Sequence, residues 1–239
     1  METSLHQQLK QHYATSPDQM EVTMGRYRID VVRGDELIEV QCASLSAIRR
    51  KVLDLTRRHR VCIVKPLIDR TRICKRTRRN GPFVSRRWSP KRGQLIDLFD
   101  ELIYLTGVFP LPKLSLEVPI VDVEQHRLVN KTAAKRKRVR RRRDPGYLVE
   151  DVSLHCVHRQ LRLSSAEDLW QLLPSRPEPA EPFNTADLAR RFDCPRWIAQ
   201  KIAYVLRHAG AIEASGRDQQ GIRYLVQADD SPLSPPIAA

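Results

Sequence analysis

Apolar positions change their spacing several times along the chain, and each change marks an element. Leu5, Leu9 and Tyr13 recur at helical spacing and predict a first helix from Ser4 to about residue 14, closed by Ser16-Pro17-Asp18. The period then drops to two. Tyr27, Ile29 and Val31 alternate with Arg28, Asp30 and Val32, and Leu37, Glu39 and Gln41 alternate with Ile38, Val40 and Cys42. Strands are expected at about 20–24, 26–33 and 36–42, turning at Met24-Gly25 and Arg33-Gly34-Asp35. Ile48, Val52 and Leu55 restore the helical period and predict a helix from Ser44 or Ser46 to about His59. Val61-Cys62-Ile63-Val64 is a continuous apolar run, the pattern of a strand buried on both faces of a mixed sheet.

The same reading predicts a strand over Arg70 to Thr77 and a loop over Arg78 to Arg92. Leu95, Leu98, Phe99, Leu102 and Leu105 predict one amphipathic core helix over about 94–106. Leu114 to Asn130 reads as a strand whose Pro119 argues for an edge position or a break, with Tyr147 to Leu163 as its partner. Beyond it the pattern gives a helix from Ser164 or Ser165 through Leu173, a Pro-rich spacer over Pro174 to Pro182, and a helix capped by Asn184-Thr185. A helix over Pro195 to Gly210 follows, then a hairpin of Ala211 to Ala214 with Ile222 to Val226, and a tail after Gln227. These segments suggest four parts: residues 1–110, a β-rich connector 111–163, a module 164–228 and a disordered tail 229–239.

Charge changes this picture. The net charge is +14, but Arg70 to Arg92 holds ten Lys/Arg and Lys131 to Arg143 holds nine, both without an acid. These two stretches carry +19, so the rest of the chain is at −5. Confined positive charge is the footprint of a polyanion, here nucleic acid, with DNA the favoured partner, although such runs also serve as solvated loops. Candidate phosphate contacts are Arg78, Arg79, Arg86 and Arg87 in the first stretch, and Lys135, Arg136, Lys137, Arg138, Arg140 and Arg141 in the second. The second run also fits a nuclear-localisation signal. Phe83 and Trp88 sit amid the arginines, either to stack on bases or to pin the loop. Five scattered cysteines, odd in number, argue for reduced thiols and a cytoplasmic setting, with nucleoid association as a further option. No apolar run approaches a membrane span.

The chemistry-bearing candidates cluster early. If the strands around Arg33-Gly34-Asp35 pair as a hairpin, Asp30 and Glu39 can project from one face, and two close carboxylates suit a hard cation such as Mg²⁺ or Mn²⁺. The order of a helix, a hairpin with Asp30, a strand with Glu39-Val40-Gln41, a second helix and a further strand resembles the PD-(D/E)XK nuclease superfamily over about residues 1–78. The resemblance implies a restriction-endonuclease-like mixed α/β core. It also implies a metal held by Asp30, Glu39 and the Val40 carbonyl, with Gln41 where the family has lysine and Lys51 as a migrated replacement. Glu21 offers a further carboxylate or an exposed strand-end acid; His6 and His12 are metal candidates or ordinary helical residues.

FNTADLARRFDCPRWIAQKIAYVLRHAGAIEASG resembles a winged helix-turn-helix, an α+β domain whose third helix enters the major groove. It implies DNA contacts from Arg196, Gln200, Lys201 and Arg207, with Arg217 and Arg223 on the wing. A protein–protein or homodimer module is the alternative. His155-Cys156-Val157-His158 has zinc-ligand residues but no second ligand pair in sequence, and reads as structural. The layout looks like a bacterial family with this two-part organisation. Its function is expected to be Mg²⁺-dependent phosphodiester cleavage, or nucleic-acid binding and regulation on a degenerate nuclease fold.

Overall fold

The computed structural model describes residues 2–129 and 146–227. It is a mixed α/β protein with one eight-stranded sheet and a separate two-stranded sheet. The helices are α1 (Ser4–Tyr13), α2 (Arg49–Leu55), the single turn α3 (Phe99–Leu102), α4 (Thr185–Arg191) and α5 (Arg196–Ala209). The main-sheet strands are β1 (Met20–Met24), β2 (Tyr27–Arg33), β3 (Glu36–Val40), β4 (Arg60–Val64), β5 (Leu67–Arg76), β6 (Ser85–Arg92), β7 (Leu114–Val129) and β8 (Tyr147–Leu163). The second sheet pairs β9 (Ile212–Asp218) with β10 (Gly221–Val226).

β1, β2 and β3 form an antiparallel meander, and β3 then runs parallel to β4. The long strand β7 is the spine. Its N-terminal part pairs parallel with β4 and its C-terminal part parallel with β5, while β8 runs antiparallel to it from end to end. β4 and β5 therefore lie end to end along β7. Val64 pairs with Glu117 and Leu67 with Ile120, so the same offset sets Pro66 beside Pro119. The expected edge position or break at Pro119 is thus corrected. A proline lacks an N–H to give, and it sits in a central strand at the one seam where the neighbour asks for none.

Two apolar layers cover the sheet. Leu5, Leu9 and Tyr13 of α1 pack on Val31, Ile38, Val40, Cys62, Val64, Val121 and Val123. The opposite face is built from Ile29, Leu37, Val61, Ile63, Leu114, Leu116, Val118 and Ile120. It shares one core with α2, with Phe99 and Leu102, and with Ile198, Ile202 and Leu206 of α5. Glycine is decisive at the end of β6. A Cβ on Gly93 would sit 2.1 Å from the Ile68 carbonyl oxygen, while Gly93 N–H donates to Asp69 O at 3.0 Å. Gly93→Ala is expected to destabilise the protein by about 1–3 kcal/mol through this backbone clash, read as a lowered urea midpoint.

Four further expectations are corrected. The Ser44–His59 helix is a 3-10 turn (Leu45–Ile48) followed by α2, with Leu45 N–H satisfied by Glu101 Oε2 at 2.8 Å. The loop over 78–92 contains β6, antiparallel to β5; ladder bonds ignore side-chain type, and charged side chains are tolerated on an outer strand. The 94–106 helix is three short turns, the 3-10 turns Leu95–Leu98 and Ile103–Leu105 on either side of α3, and they bury Ile96, Leu98, Phe99, Leu102 and Leu105. The helix from Ser164 is a 3-10 turn, Glu167–Leu172.

The C-terminal segment starts with a capping box. Asn184 Oδ1 accepts from Ala186 N–H and Asp187 N–H at 2.7 and 3.1 Å, and Asp187 Oδ2 accepts from Asn184 N–H at 2.8 Å. Burial pushes the Asp187 carboxyl up, but the Asn184 N–H and the Arg190 guanidinium outweigh it and hold the group below the usual carboxylate range. A depressed folded-state value gives stability that is present above the unfolded pKa and lost as pH falls through the folded one. Asp187→Ala is accordingly expected to cost about 1 kcal/mol at neutral pH, a cost that shrinks as pH falls below the ordinary aspartate range, in paired urea titrations.

Candidate functional site

Helix α1 and strands β1 to β3 enclose a cleft of about 410 Å³ lined by Glu2, Thr3, His6, Lys10, Glu21, Arg28, Asp30, Gln41, Cys42 and Ala43. His6 and Lys10 stand four residues apart on α1, so one helical stripe carries both into it, and Glu2, just ahead of the N-cap Thr3, joins them. His6 Nε2 lies 2.8 Å from the Val40 carbonyl oxygen and 3.4 Å from Asp30 Oδ2, and its Nδ1 lies 2.5 Å from Glu2 Oε1. The Asp30 carboxylate, helped by Glu2, pushes the His6 imidazole up to about 9 against the opposing effect of burial. A cationic ring therefore occupies the point on which Asp30 and the Val40 carbonyl converge.

Asp30 is also tied to the backbone, since Val40 N–H donates to its Oδ2 at 2.8 Å. This bond stands where the β2–β3 ladder ends, for the pairing runs from Arg33–Glu36 to Val31–Ile38 and stops. Lys10 is buried, its Nζ 2.6 Å from both Glu2 Oε1 and Glu21 Oε1. Glu21 is held in the left-handed backbone region at φ 56°, a conformation uncommon for glutamate, and its carboxylate also pairs with Arg28. Lys10 is the main cause that holds the Glu2 and Glu21 carboxyls below their ordinary range.

Glu39 is buried but does not line this cleft; its carboxylate is held by Lys51 of α2. Lys51 Nζ lies 2.6 Å from Glu39 Oε1, off the line of a hydrogen bond, and donates to the Arg28 carbonyl at 2.6 Å. Glu39 Oε1 is consequently a buried oxygen with no aligned donor. Burial pushes the Glu39 carboxyl up, with Lys51 opposing. Gln41 lines the cleft and gives its side-chain N–H to the Ser44 carbonyl at 2.7 Å. Asp30 is thus braced from α1 and Glu39 from α2, with Val40 between them supplying both a donor and an acceptor.

Of the ten cationic residues over Arg70 to Arg92, four are engaged by acids: Arg70 by Asp122, Arg72 by Glu124, Arg76 by Glu150 and Arg92 by Asp69. Arg78, Arg79, Arg86 and Arg87 are exposed around the β5–β6 hairpin. The Arg70 guanidinium lies over Trp88, 4.5 Å from the ring centroid, and that of Arg86 lies 5.0 Å from the Phe83 centroid, so both aromatics are partnered within the sheet edge. Lys135, Arg136, Lys137, Arg138, Arg140 and Arg141 lie outside the described residues. On α5, Gln200 is exposed, Arg196 donates to the Gln220 carbonyl at 3.1 Å, and Lys201 turns inward to Asp100 at 2.9 Å. Trp197 and Tyr204 are exposed on the same helix.

Sequence reading missed Glu2, Lys10 and Arg28 as cleft residues. The i, i+4, i+8 spacing of Glu2, His6 and Lys10 was the available signal; the reach of Glu21 from a left-handed position had none.

The fold and cleft define a mixed α/β protein with a charged pocket between its first helix and a three-stranded meander. The chain belongs to the DUF8091 family, described as a domain of unknown function, which matches residues 3–164. The match runs from α1 to the end of β8 and leaves α4, α5 and the small sheet outside. A protein of Treponema pallidum (strain Nichols), described as an uncharacterized protein, is 29% identical over 124 residues, or 52% of this chain and 49% of that protein. The chain therefore spans about half the length of that relative. No solved structure matches the chain. Among the described residues, no helix is long and apolar enough to cross a membrane.

Proposed function

We propose that this protein is a metal-dependent phosphodiesterase acting on nucleic acid, built on a PD-(D/E)XK-like core. The observation that carries the reading is the convergence of the Asp30 carboxylate and the Val40 carbonyl on one cation-sized point, held by His6 Nε2. The order α1, β1–β3, α2, β4 agrees with it, as does the parallel β3–β4 pair. The donor set fits Mg²⁺: Asp30, Glu39 and the Val40 carbonyl are all oxygen, and Glu39 Oε1 is buried without an aligned donor. Bound there, the ion would supply Lewis-acid polarisation of the phosphate and a more acidic water.

The chain's own residues do the rest. Lys51 offsets the charge of buried Glu39 and favours its ionised form. His6 competes for Asp30 and Val40, so the imidazole must swing aside or give up its proton when the carboxylate is claimed. Arg28 and Lys10 supply positive charge at the cleft wall for a phosphate. The exposed Arg78, Arg79, Arg86 and Arg87 give a strand-edge track for the backbone of the polymer. A winged-helix role for α4, α5, β9 and β10 is retained, with Arg196 and Gln200 outward and Lys201 withdrawn.

The second reading, nucleic-acid binding without turnover, is favoured by Gln41 in the position of the usual lysine and by its bond to Ser44. The test is incubation of the full chain with labelled single- and double-stranded DNA and RNA in Mg²⁺, Mn²⁺ or EDTA. Cutting that needs the metal supports the first reading. Binding that weakens steeply with salt, with no cutting, supports the second. Neither cutting nor binding sinks both.

A further inference from the structure

On the face of the sheet away from α1, Asp122, Glu124 and His126 of β7 lie beside Arg70, Arg72 and Cys74 of β5. β8 closes the other side, and its register there is irregular. Leu154 pairs with Val123, Cys156 with Asp122, Val157 with Val121 and Arg159 with Ile120, so His155 and His158 are the residues skipped by two successive bulges. A bulge re-aims the side chain it leaves unpaired. Both imidazoles turn toward acids of β7: His158 Nε2 lies 3.1 Å from Asp122 Oδ1, and His155 Nδ1 lies 4.0 Å from Glu124 Oε1. Cys156 Sγ lies 3.7 Å from His158 Nε2.

We propose that Asp122, Cys156 and His158 form a binding site for a zinc-like divalent transition metal, distinct from the Asp30 cleft. The three ligand atoms lie within 4.8 Å of one another. Tetrahedral zinc, with Zn–N and Zn–O near 2.0–2.1 Å and Zn–S near 2.3 Å, requires ligand edges of about 3.3 Å for N···O and about 3.6 Å for N···S. The observed 3.1 and 3.7 Å match those edges with little movement. A mixed O, S, N set suits a borderline-soft ion rather than Mg²⁺.

The surroundings suit a ligand carboxylate. Asp122 is buried, and Arg70 grips its Oδ2 through Nε at 3.0 Å and Nη2 at 2.9 Å. Oδ1 takes the Arg70 N–H at 3.1 Å, which leaves its second lone pair for the position now facing His158. A metal there takes the Cys156 sulfur as thiolate and the His158 Nε2 lone pair, so binding competes with protons. His158 is partly exposed, so the fourth position opens to water. The third ligand that Cys156 and His158 lack in their own stretch of sequence is thus supplied by Asp122 of the neighbouring strand.

The site is tested with Co²⁺ alone as the probe, added to the reduced, EDTA-stripped full chain. One equivalent is expected to give visible d–d bands and a near-ultraviolet thiolate band, both lost when Zn²⁺ is added. Cys156→Ser should abolish the thiolate band, and Cys74→Ser, in the neighbouring Cys74–Glu124–His126 group, should leave it. Arg70→Gln should weaken binding about 10–100-fold, because it orients the ligand carboxylate. Far-ultraviolet circular dichroism in EDTA checks folding, and His158→Asn, at a partly exposed position, gives a second variant expected to lose the spectrum. A thiolate band that survives in Cys156→Ser, or no stoichiometric Co²⁺ uptake by the wild type, overturns the proposal. Neither result touches the reading of the Asp30 cleft, whose donors are all oxygen.

Discussion

Asp30→Ala is expected to lower metal-dependent cleavage by about 10³-fold or more, the scale of losing several kcal/mol of transition-state charge stabilisation with a metal ligand. Two other losses accompany it. The substitution frees His6 from its carboxylate and leaves Val40 N–H, now at 2.8 Å from Asp30 Oδ2, without its acceptor. An unsatisfied backbone donor costs about 1–3 kcal/mol, so stability must be measured beside activity. Asp30→Asn separates the two effects, since its amide oxygen can still accept from Val40 while the charge is gone. Comparable kcat/KM losses in both variants, with Asn near wild-type stability, assign the effect to charge. Cleavage within a few-fold of wild type in Asp30→Asn would remove Asp30 from the metal set.

Phe99→Ala carries the largest expected stability effect, about 3–5 kcal/mol by urea titration. Phe99 is fully buried and belongs to the core that joins the sheet face, α2 and α5. The loss is a large fraction of a typical total of about 5–15 kcal/mol. Because Ile198, Ile202 and Leu206 share that core, the sheet and the C-terminal helices are expected to unfold in one transition, in the wild type and in the variant. Two resolved transitions, with only one shifted by Phe99→Ala, would show that the C-terminal segment has a separate core.

Periodicity makes much of the fold legible in the sequence. α1, the meander, the buried β4 run and the β7–β8 partnership all follow from spacing and turns, because each buries a face that the pattern advertises. What failed had a physical reason outside the local window. β6 reads as a loop because its Arg, Lys, Ser and Pro carry no apolar alternation, yet its backbone bonds to β5 regardless. Pro119 reads as an edge because the local rule cannot see Pro66 opposite it. Within the cleft, Asp30 was readable from strand spacing and Lys10 from its helical spacing after His6, whereas Arg28 enters through Glu21, whose backbone angle no pattern encodes. His155 and His158 lacked a partner in sequence because bulges and a neighbouring strand supply it.

The spine at β7 sets a timetable for synthesis. Residues 60–76 are complete some 50 residues before the strand that flanks them, which at about 5–20 residues per second is a wait of roughly 3–10 s on the ribosome. During that interval Val61 to Val64, an apolar run made for burial on both faces, has β3 on one side and an open edge on the other. Closing a loop of that length is slow, and such an edge invites intermolecular pairing. Until β7 arrives, that open edge is available for pairing with another strand.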